Sequence, residues 1–471
     1  MNSPSRREML ATSCNGIGAM ALGSMIAGES QAHTQGITGN TGRKKAKHCI
    51  FLFMQGGVSQ MDSFEYKPAL NKLHGKQLPK IDNINGELQG RLSFPHAVVG
   101  SPFKFKRYGE SGKYVSELLP KIAGQVDDLA FVHGIETDNQ NHGPSTLHVT
   151  TGSQFPGSPS VGSWISYGLG TPNENMPSYV VIQDPRGAPV NGAAIWANGY
   201  LPARHQGCLF RSKGSPILNL KRSADWTRKE QREELKLLHY LNQQHANERV
   251  DTNLEARIKA YELAFRMQTE APEIIDIGDE SQATRKLYGL DQGHTSGFGT
   301  QCLLARRLVE KGVRFTLLVH GVQIGSHSWD DHGDVKGGMI RHCREVDQPV
   351  AALLSDLKQR GLLEDTLVVW ASEMGRTPFR NGGLGNKPGR EHNSKALTMW
   401  FAGGNSKGGA VAGETDDFSL RSAGESISIR DVHATLLDLM GLDDEKLRFL
   451  YAGRNRQLTD IGGTVLSEII S

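Results

Sequence analysis

Five short segments of the 471-residue chain combine acidic, histidine and arginine residues next to glycine. They span residues 55–62, 138–146, 325–332, 372–376 and 389–393. Each brings a carboxylate, an imidazole or both, and these groups are the ligands that zinc takes in proteins. Manganese and iron accept the same ligands, and carboxylate-rich sets also suit magnesium or calcium. The pattern predicts a divalent metal, with zinc favoured, held by five candidate ligands: Asp62, Asp330, His332, Glu373 and His392.

A metal in such a site would polarise an ester oxygen and promote attack by water or a nearby hydroxyl. Two ions a few ångströms apart would hold both the attacking and the leaving oxygen of a phosphoryl or sulfuryl group. Arginine can bind the same oxyanion through two hydrogen bonds. Arg376 is therefore a candidate catalytic residue, and Arg390 is a candidate substrate-binding residue.

Apolar runs of strand length precede most of these polar segments. Helical patterns at 301–311, 341–360 and 429–440 lie among them, and a glycine follows each helix as a stop signal. Strands alternating with helices predict an α/β domain, with a mostly parallel central sheet and helices on both faces. Ligands bind such sheets at the carboxyl ends of the strands, where the polar segments lie. The predicted strands are 48–54, 128–134, 179–183, 313–320, 366–372 and 397–404.

The N-terminus has the pattern of a twin-arginine signal peptide. Arg6 and Arg7 precede a mildly apolar run at 9–27, and residues 30–32 place small residues at a cleavage position. Polar residues and glycines interrupt the run, so a stable membrane anchor is not expected. These features predict a periplasmic or secreted protein that meets the twin-arginine translocase during export.

The predicted organisation is a signal peptide at 1–32, a flexible lead-in at 33–47 and one domain at 48–471. A charged helical insertion is expected near 223–267. The formal net charge is +3, so composition gives no case for a nucleic acid partner. The four cysteines beyond the signal peptide form no C-x-x-C pair, so neither a zinc–thiolate site nor a disulfide is indicated. They are Cys49, Cys208, Cys302 and Cys343.

As a set, the motifs resemble a twin-arginine-exported bacterial family known as domain of unknown function 1501. The resemblance extends over nearly the whole chain, including the glycine-rich first loop and the last predicted helix. The matching segments are 55–64, 67–68, 141–144, 151–152, 329–332, 372–378, 389–392, 433–441, 451–454 and 458–460.

That family resembles the alkaline phosphatase and sulfatase superfamily, which implies a three-layer sandwich around a mostly parallel sheet. On this resemblance, Asp62 takes the place of the first metal aspartate. Asp330 and His332 resemble the Asp/His metal pair, with a spacing of one residue instead of three. His392 resembles the late metal-site histidine, and Glu373 lies where the superfamily has a metal-binding aspartate.

Two departures from the superfamily concern the chemistry. Met374 replaces a ligand, and His142 stands at the position of the sulfatase nucleophile, so no formylglycine can form there. Ser145 and Thr146 follow Pro144 at a predicted helix start, where backbone N–H groups favour anions. Either hydroxyl is a candidate nucleophile. Thr146 is also a candidate substrate contact, and Ser145 is explained equally well as a residue that starts the helix. His142 is a candidate ligand, general acid–base catalyst or phosphate-contacting donor.

Two hypotheses follow. The first is an exported metal-dependent hydrolase of phosphate or sulfate esters, acting on a small-molecule or polysaccharide substrate. The second is a non-catalytic protein on the same fold that binds metal or polysaccharide, and Met374 and the missing standard nucleophile favour it. Metal analysis combined with aryl phosphate and aryl sulfate assays separates the two.

Overall fold

A computed structural model gives the architecture of most of the chain. The predicted signal peptide and the lead-in up to residue 44 lie outside the described residues. Within the described part, no helix is long and apolar enough to cross a membrane. The described residues are 45–77, 97–211, 217, 227–248, 261–268, 273–274, 276–323, 327–381 and 387–471.

Fifteen strands occur in the described residues, and nine of them form the central sheet. In chain order they are β1 (His48–Met54), β2 (Phe105–Tyr108), β3 (Lys113–Ser116), β4 (Leu129–Glu136), β5 (Tyr179–Ile182), β6 (Cys208–Phe210), β7 (Phe315–His320), β8 (Thr366–Ala371), β9 (Gly375–Asn381), β10 (Gly389–Asn393), β11 (Leu397–Ala402), β12 (Val411–Ala412), β13 (Ile427–Ser428), β14 (Phe449–Tyr451) and β15 (Arg454–Arg456).

The central sheet has the order β12-β4-β11-β8-β1-β7-β5-β6, and β13 also pairs with β4. β1 lies near its middle and pairs in parallel with β7 on one side and β8 on the other. The sheet is therefore mostly parallel, as the alternation of strands and helices predicted. Six predicted strands agree with observed strands within two residues at each end.

β11 is the exception, because it runs antiparallel to both neighbours, β8 and β4. Its direction follows from the hairpin β9–β10, which leaves the end of β8 and returns to the same edge, with Asn393 opposite Gly375. β11 then starts at the edge where β1, β7 and β8 end. The polar segment before β11 thus joins the segments that follow the parallel strands.

Side chains of β1 alternate between the two faces of the sheet, as the two-residue period of a strand requires. Ile50 and Leu52 pack into one apolar cluster, and Phe51 and Phe53 pack into another. Both faces are covered by helices. The result is a three-layer α/β sandwich with the sheet as the middle layer.

Ten α-helices accompany the sheet in the described residues, besides short helical segments at 261–268 and 273–274. Gly312, Gly361 and Gly441 follow three of them with φ angles of 79°, 68° and 83°, which favour glycine and end these helices where the sequence predicted. The helices are α1 (Gln60–Ser63), α2 (Pro68–Lys72), α3 (Pro120–Ala123), α4 (His142–Thr151), α5 (Val161–Leu169), α6 (Arg228–Glu248), α7 (Gln282–Leu287), α8 (Ser296–Glu310), α9 (Val335–Gln359) and α10 (Ile429–Leu439).

The charged stretch predicted as an insertion near 223–267 contains α6 and a helical segment at 261–268. The segments 221–226 and 249–260 lie outside the described residues. The division of the chain into a signal peptide, a lead-in and one domain stays a prediction.

Candidate metal centre

Four side chains from three segments converge at the carboxyl edge of the sheet. His142 starts α4, Asp330 and His332 lie in the loop after β7, and His392 belongs to β10. One ligand atom from each lies within 4.8 Å of all the others. The sequence analysis named all four, with His142 as a catalytic residue rather than as a fixed ligand.

The distances within this group are short. The Nε2 atoms of His332 and His392 are 2.8 Å apart, and Asp330 Oδ1 lies 2.8 Å and 3.1 Å from them. Asp330 Oδ2 lies 3.2 Å from His142 Nε2, although the two are poorly aligned for a hydrogen bond. A tetrahedral zinc ion holds its nitrogen and oxygen ligands about 3.3 Å apart. The separations within the group, from 2.8 Å up to the 4.8 Å limit, bracket this value, so the four side chains fit a small cation after small shifts.

The second ring nitrogens of the histidines face oxygen atoms. His142 Nδ1 is 2.8 Å from Glu373 Oε1, and His392 Nδ1 is 2.7 Å from the carbonyl oxygen of Gln140. His332 Nδ1 lies 3.7 Å from a carboxylate oxygen of Glu391. A carbonyl can only accept, so His392 Nδ1 donates and its Nε2 presents a lone pair to the centre. Outer acceptors of this kind orient metal-binding histidines.

The pKa shifts of His142 and Asp330 both reflect a demand for positive charge beside the Asp330 carboxylate, whereas burial lowers the pKa of His392. Burial alone would lower the pKa of His142, but Asp330 and Glu373 raise it to about 9. Burial would raise the pKa of Asp330, yet the three histidines and Arg376 hold it well below its usual value. A divalent cation would supply that positive charge and would leave the imidazoles neutral.

Glu373 lies behind the four ligand atoms. Its buried carboxylate accepts hydrogen bonds from the backbone N–H groups of Gly56 and Gly57 and from the side chain of Gln55. Gly56 and Gly57 adopt φ angles of 123° and 82°, which favour glycine and turn both N–H groups towards the carboxylate. Burial would raise the pKa of Glu373, but the bond with His142 lowers it. Glu373 therefore lies outside the group of four and orients the ring of His142 through a hydrogen bond.

Asp62 and Arg390 form an ion pair in which neither side chain is exposed. Two guanidinium nitrogens of Arg390 donate to the Asp62 carboxylate at 2.7 Å and 3.2 Å, and Ser59 Oγ donates to it at 2.6 Å. Arg390 also donates to the carbonyl of Val99. The structure does not bring Asp62 to the group of four, and it places Arg390 away from solvent.

Arg376 is almost fully buried and links two loops. Its guanidinium donates to the carbonyl oxygens of Gly56, Gly57 and Trp329, and to Asp330 Oδ1 at 2.7 Å. These hydrogen bonds occupy the guanidinium N–H groups of Arg376 that would otherwise donate to a substrate oxyanion. In this arrangement Arg376 positions Asp330.

The hydroxyls of Ser145 and Thr146 are buried within the first turns of α4. Ser145 Oγ donates to the carbonyl oxygen of Asn139, and Thr146 Oγ1 has no hydrogen-bond partner in the described structure. Both residues have no exposed surface. The structure therefore points these two candidate nucleophiles into the protein.

A cavity of about 480 Å³ opens beside the group of four. Gln323, Asp331 and Arg341 line it together with His142, Asp330 and His332. The side chain of Arg341 is 40% exposed and lies 3.8 Å from Asp331. Burial raises the pKa of Asp331 to about 7. The sequence analysis did not identify Arg341, because a single arginine near the start of a long helix belongs to no motif.

A second histidine–carboxylate group, formed by His320, His342 and Glu345, lies nearby in the protein interior. His320 Nε2 is 2.8 Å from Glu345, and His320 Nδ1 accepts a hydrogen bond of 3.0 Å from Trp329 Nε1. His342 is fully buried, with no hydrogen bond to either ring nitrogen in the described structure. Burial lowers the pKa of His342 to about 3.

The fold and the site define an α/β protein with a histidine–carboxylate centre at the carboxyl edge of a mostly parallel sheet. The chain belongs to the family described as protein of unknown function (DUF1501), whose model matches residues 46–470. This family was the one predicted from the motifs. No curated protein matches the sequence.

Several solved structures are similar at low identity. The alkaline phosphatase from the Antarctic bacterium TAB5 is 9% identical, over 85% of this chain and 99% of that chain, with a TM-score of 0.36. The PsFucS1 sulfatase from Pseudoalteromonas sp. is 14% identical, over 86% and 69%, with a TM-score of 0.36. The phosphonate monoester hydrolase SpPMH from Silicibacter pomeroyi is 11% identical, over 74% and 71%, with a TM-score of 0.36.

Sulfatases and alkaline phosphatases are thus among the structures that this chain resembles, as the motifs predicted. At identities and TM-scores this low, these similarities support no conclusion about activity.

Proposed function

We propose that this protein is a metal-dependent hydrolase of phosphate or sulfate esters. The observation that supports this most directly is the convergence of three imidazole Nε2 atoms and one carboxylate at the side of an open cavity. This ligand set suits zinc, with manganese or iron as alternatives. A bound metal of this kind would polarise an ester oxygen and lower the pKa of a coordinated water.

The residues of the chain have distinct parts in this proposal. His142, Asp330, His332 and His392 hold the metal, and Glu373 fixes the orientation of His142. Because Arg376 and Arg390 are fully engaged inside the protein, the oxyanion of the ester needs another partner. Arg341 faces the cavity, is partly exposed, and can supply a charge-assisted contact to it.

The alternative is a protein that binds metal, or a polysaccharide, without turnover. The buried hydroxyls of Ser145 and Thr146 favour it, because they leave no nucleophile at the positions where the sequence suggested one. A water molecule activated at the metal removes this objection, since hydrolysis does not require a protein nucleophile.

We also propose that the chain is exported by the twin-arginine translocase and works in the periplasm or outside the cell. The support is the pattern of Arg6, Arg7, the apolar run and the small residues before position 33. A centre assembled from three distant segments would benefit from folding before export, which a route for folded proteins allows.

The enzyme proposal is tested on the mature chain with aryl phosphate and aryl sulfate substrates, after metal analysis and reconstitution with zinc or manganese. Hydrolysis that depends on metal and falls in the Arg341→Met variant supports it. Bound metal without hydrolysis of either substrate supports the binding alternative. Absence of bound metal, with no uptake on reconstitution, contradicts the metal-dependent hydrolase and the metal-binding alternative.

Asp62→Ala tests the sequence-based prediction that Asp62 is a ligand. Loss of metal in this variant would support that prediction. The ion pair with Arg390 instead leads us to expect retained metal and a chain less stable by about 3–5 kcal/mol, because a buried charge loses its partner.

A further inference from the structure

A second cavity, of about 460 Å³, lies between the end of α4 and the hairpin β14–β15. We call it the aromatic groove. Its lining includes three aromatic residues, two arginines and two aspartates: Phe155, Tyr200, Tyr451, Arg430, Arg456, Asp138 and Asp460. None of these residues belongs to the candidate metal centre.

The aromatic side chains present flat apolar surface to solvent. The rings of Tyr200 and Tyr451 stack with centroids 4.9 Å apart and planes 18° apart, and Phe449 continues the stack behind Tyr200. Tyr451 is 48% exposed and Phe155 is 76% exposed. Two exposed aromatic side chains thus line one cavity, and a third ring stacks on one of them, so the cavity presents apolar ring faces to a ligand.

The hairpin that presents Tyr451 is held in an uncommon conformation. Its two turn residues, Ala452 and Gly453, have φ angles of 49° and 75°. Positive φ at both positions is the requirement of the tight turn that matches strand twist, yet alanine adopts it at a cost. The structure keeps this turn, and the turn places Tyr451 at the edge of the groove.

Planar polar groups lie beside the aromatic surface. Arg430 is paired with Asp138 at 3.0 Å, and the amide of Gln457 donates to Thr459 Oγ1 at 3.0 Å. Guanidinium, carboxylate and amide groups can exchange several hydrogen bonds with hydroxyl groups. Aromatic rings attract the slightly positive C–H groups of an apolar ring face. Hydroxyl groups around an apolar ring face are the features of a pyranose sugar.

The groove lies close to the metal centre along the chain. Asp138 lines the groove, and two residues later the carbonyl of Gln140 accepts the hydrogen bond from His392 Nδ1. Two residues span at most about 7 Å. A short sugar chain could therefore reach from the groove to the metal.

We infer that the aromatic groove binds a pyranose unit of an oligosaccharide whose ester group lies at the metal centre. This inference rests on the proposed function and names its substrate class as esterified sugar chains. Arg430 is paired with Asp138, so Arg456 is the groove arginine that can contact a further acidic group on the sugar. The groove acts as a binding subsite, and the hydrolysis takes place at the metal.

The test measures binding of the mature chain to dextran sulfate, chondroitin sulfate and cellulose sulfate by affinity electrophoresis. Sodium polyacrylate, a polyanion without sugar, serves as the comparison polymer. We expect binding to at least one sulfated polysaccharide, and Tyr451→Ala should weaken it about tenfold, equivalent to about 1.4 kcal/mol. Tyr451→Phe should retain binding because it keeps the ring.

Tyr240→Ala is the matched control, because Tyr240 is 58% exposed and does not line the groove. Equal retardation by polyacrylate, unchanged binding in Tyr451→Ala, or no binding to any of the three polysaccharides would overturn the inference. Aryl ester hydrolysis should be unchanged in Tyr451→Ala. If the parent chain binds polysaccharide through the groove but does not hydrolyse aryl esters, the proposed function is rejected and the groove remains a sugar-binding site.

Discussion

The two histidine–carboxylate groups of this protein contain the same residue types but differ in the direction of their hydrogen bonds. At the metal centre, His142 and His392 turn Nδ1 towards oxygen atoms of Glu373 and Gln140. In the interior group, the atom that faces Nδ1 of His320 is an indole N–H. The oxygen atoms accept a hydrogen bond, whereas the indole N–H can only donate one.

This difference decides which nitrogen is free to bind a metal. His320 Nδ1 must accept from Trp329, so in the neutral ring Nε2 holds the proton and donates it to Glu345 at 2.8 Å. Glu345 also receives two hydrogen bonds of 3.0 Å from Arg186, which already balances its charge. His320 and Glu345 are thus satisfied without a cation, whereas neither ring nitrogen of His342 has a hydrogen bond in the described structure. Ligand residue types alone therefore do not define a metal site.

The largest effect is expected when one histidine is removed, first from the metal centre and then from the interior group. His392→Ala removes a metal ligand. Loss of a residue that only orients a ligand weakens metal binding by up to about 100-fold, so this variant should weaken it by more than that. His320→Ala should leave the metal content unchanged. Metal content is measured by plasma mass spectrometry after dialysis, and equal loss from both variants would contradict the distinction.

A smaller effect is expected when the acceptor behind a ligand is altered. Glu373→Gln should weaken metal binding about tenfold, because an amide orients His142 less strongly than a carboxylate. Glu345→Gln is the matched change in the interior group and should not alter metal affinity. Competition with a chelator gives both affinities, and an effect of Glu345→Gln equal to that of Glu373→Gln would argue against our assignment.

The smallest effect concerns the pH dependence of stability. Burial lowers the pKa of His342 to about 3 from 6.5, with His320, Glu345 and Arg341 as charged or titratable neighbours. Only the unfolded chain then takes up this proton, so the free energy of unfolding falls as pH drops from 6.5 towards about 3. The expected slope is about 1.4 kcal/mol per pH unit.

His342→Phe removes the titrating group while keeping a buried ring. Its free energy of unfolding should depend less on pH than that of the parent chain, by that slope. Urea unfolding at about pH 6 and about pH 5, in the presence of a chelator, measures the difference. Parallel pH profiles for the two chains would show that His342 is not buried in its neutral form.

The sequence predicted the parts of the fold that depend on periodic patterns. Apolar runs located six strands, and glycines located the ends of three helices. The antiparallel direction of β11 was not predicted, because it depends on the hairpin β9–β10 that returns the chain to its starting edge. That return also explains why His392 reaches the centre from β10, which precedes β11 in the chain.

Residue types indicated the site but not the role of each side chain. Asp330, His332 and His392 converge as candidate ligands, whereas Glu373 lies one layer behind them. Whether an arginine at a strand end faces the cavity or the interior depends on loop conformation, which Arg376 shows. Arg341 reaches the cavity from α9. It lies outside the five polar segments of the sequence, so its position beside the site could not be predicted from them.

Anomalous diffraction at the zinc edge, from crystals of the mature chain grown with zinc, tests the central claim most directly. We expect a peak about 2.0–2.2 Å from the ligand atoms of His142, Asp330, His332 and His392. We expect no peak beside His320. A zinc peak in the interior group, with the four converging side chains unbound, would contradict the claim.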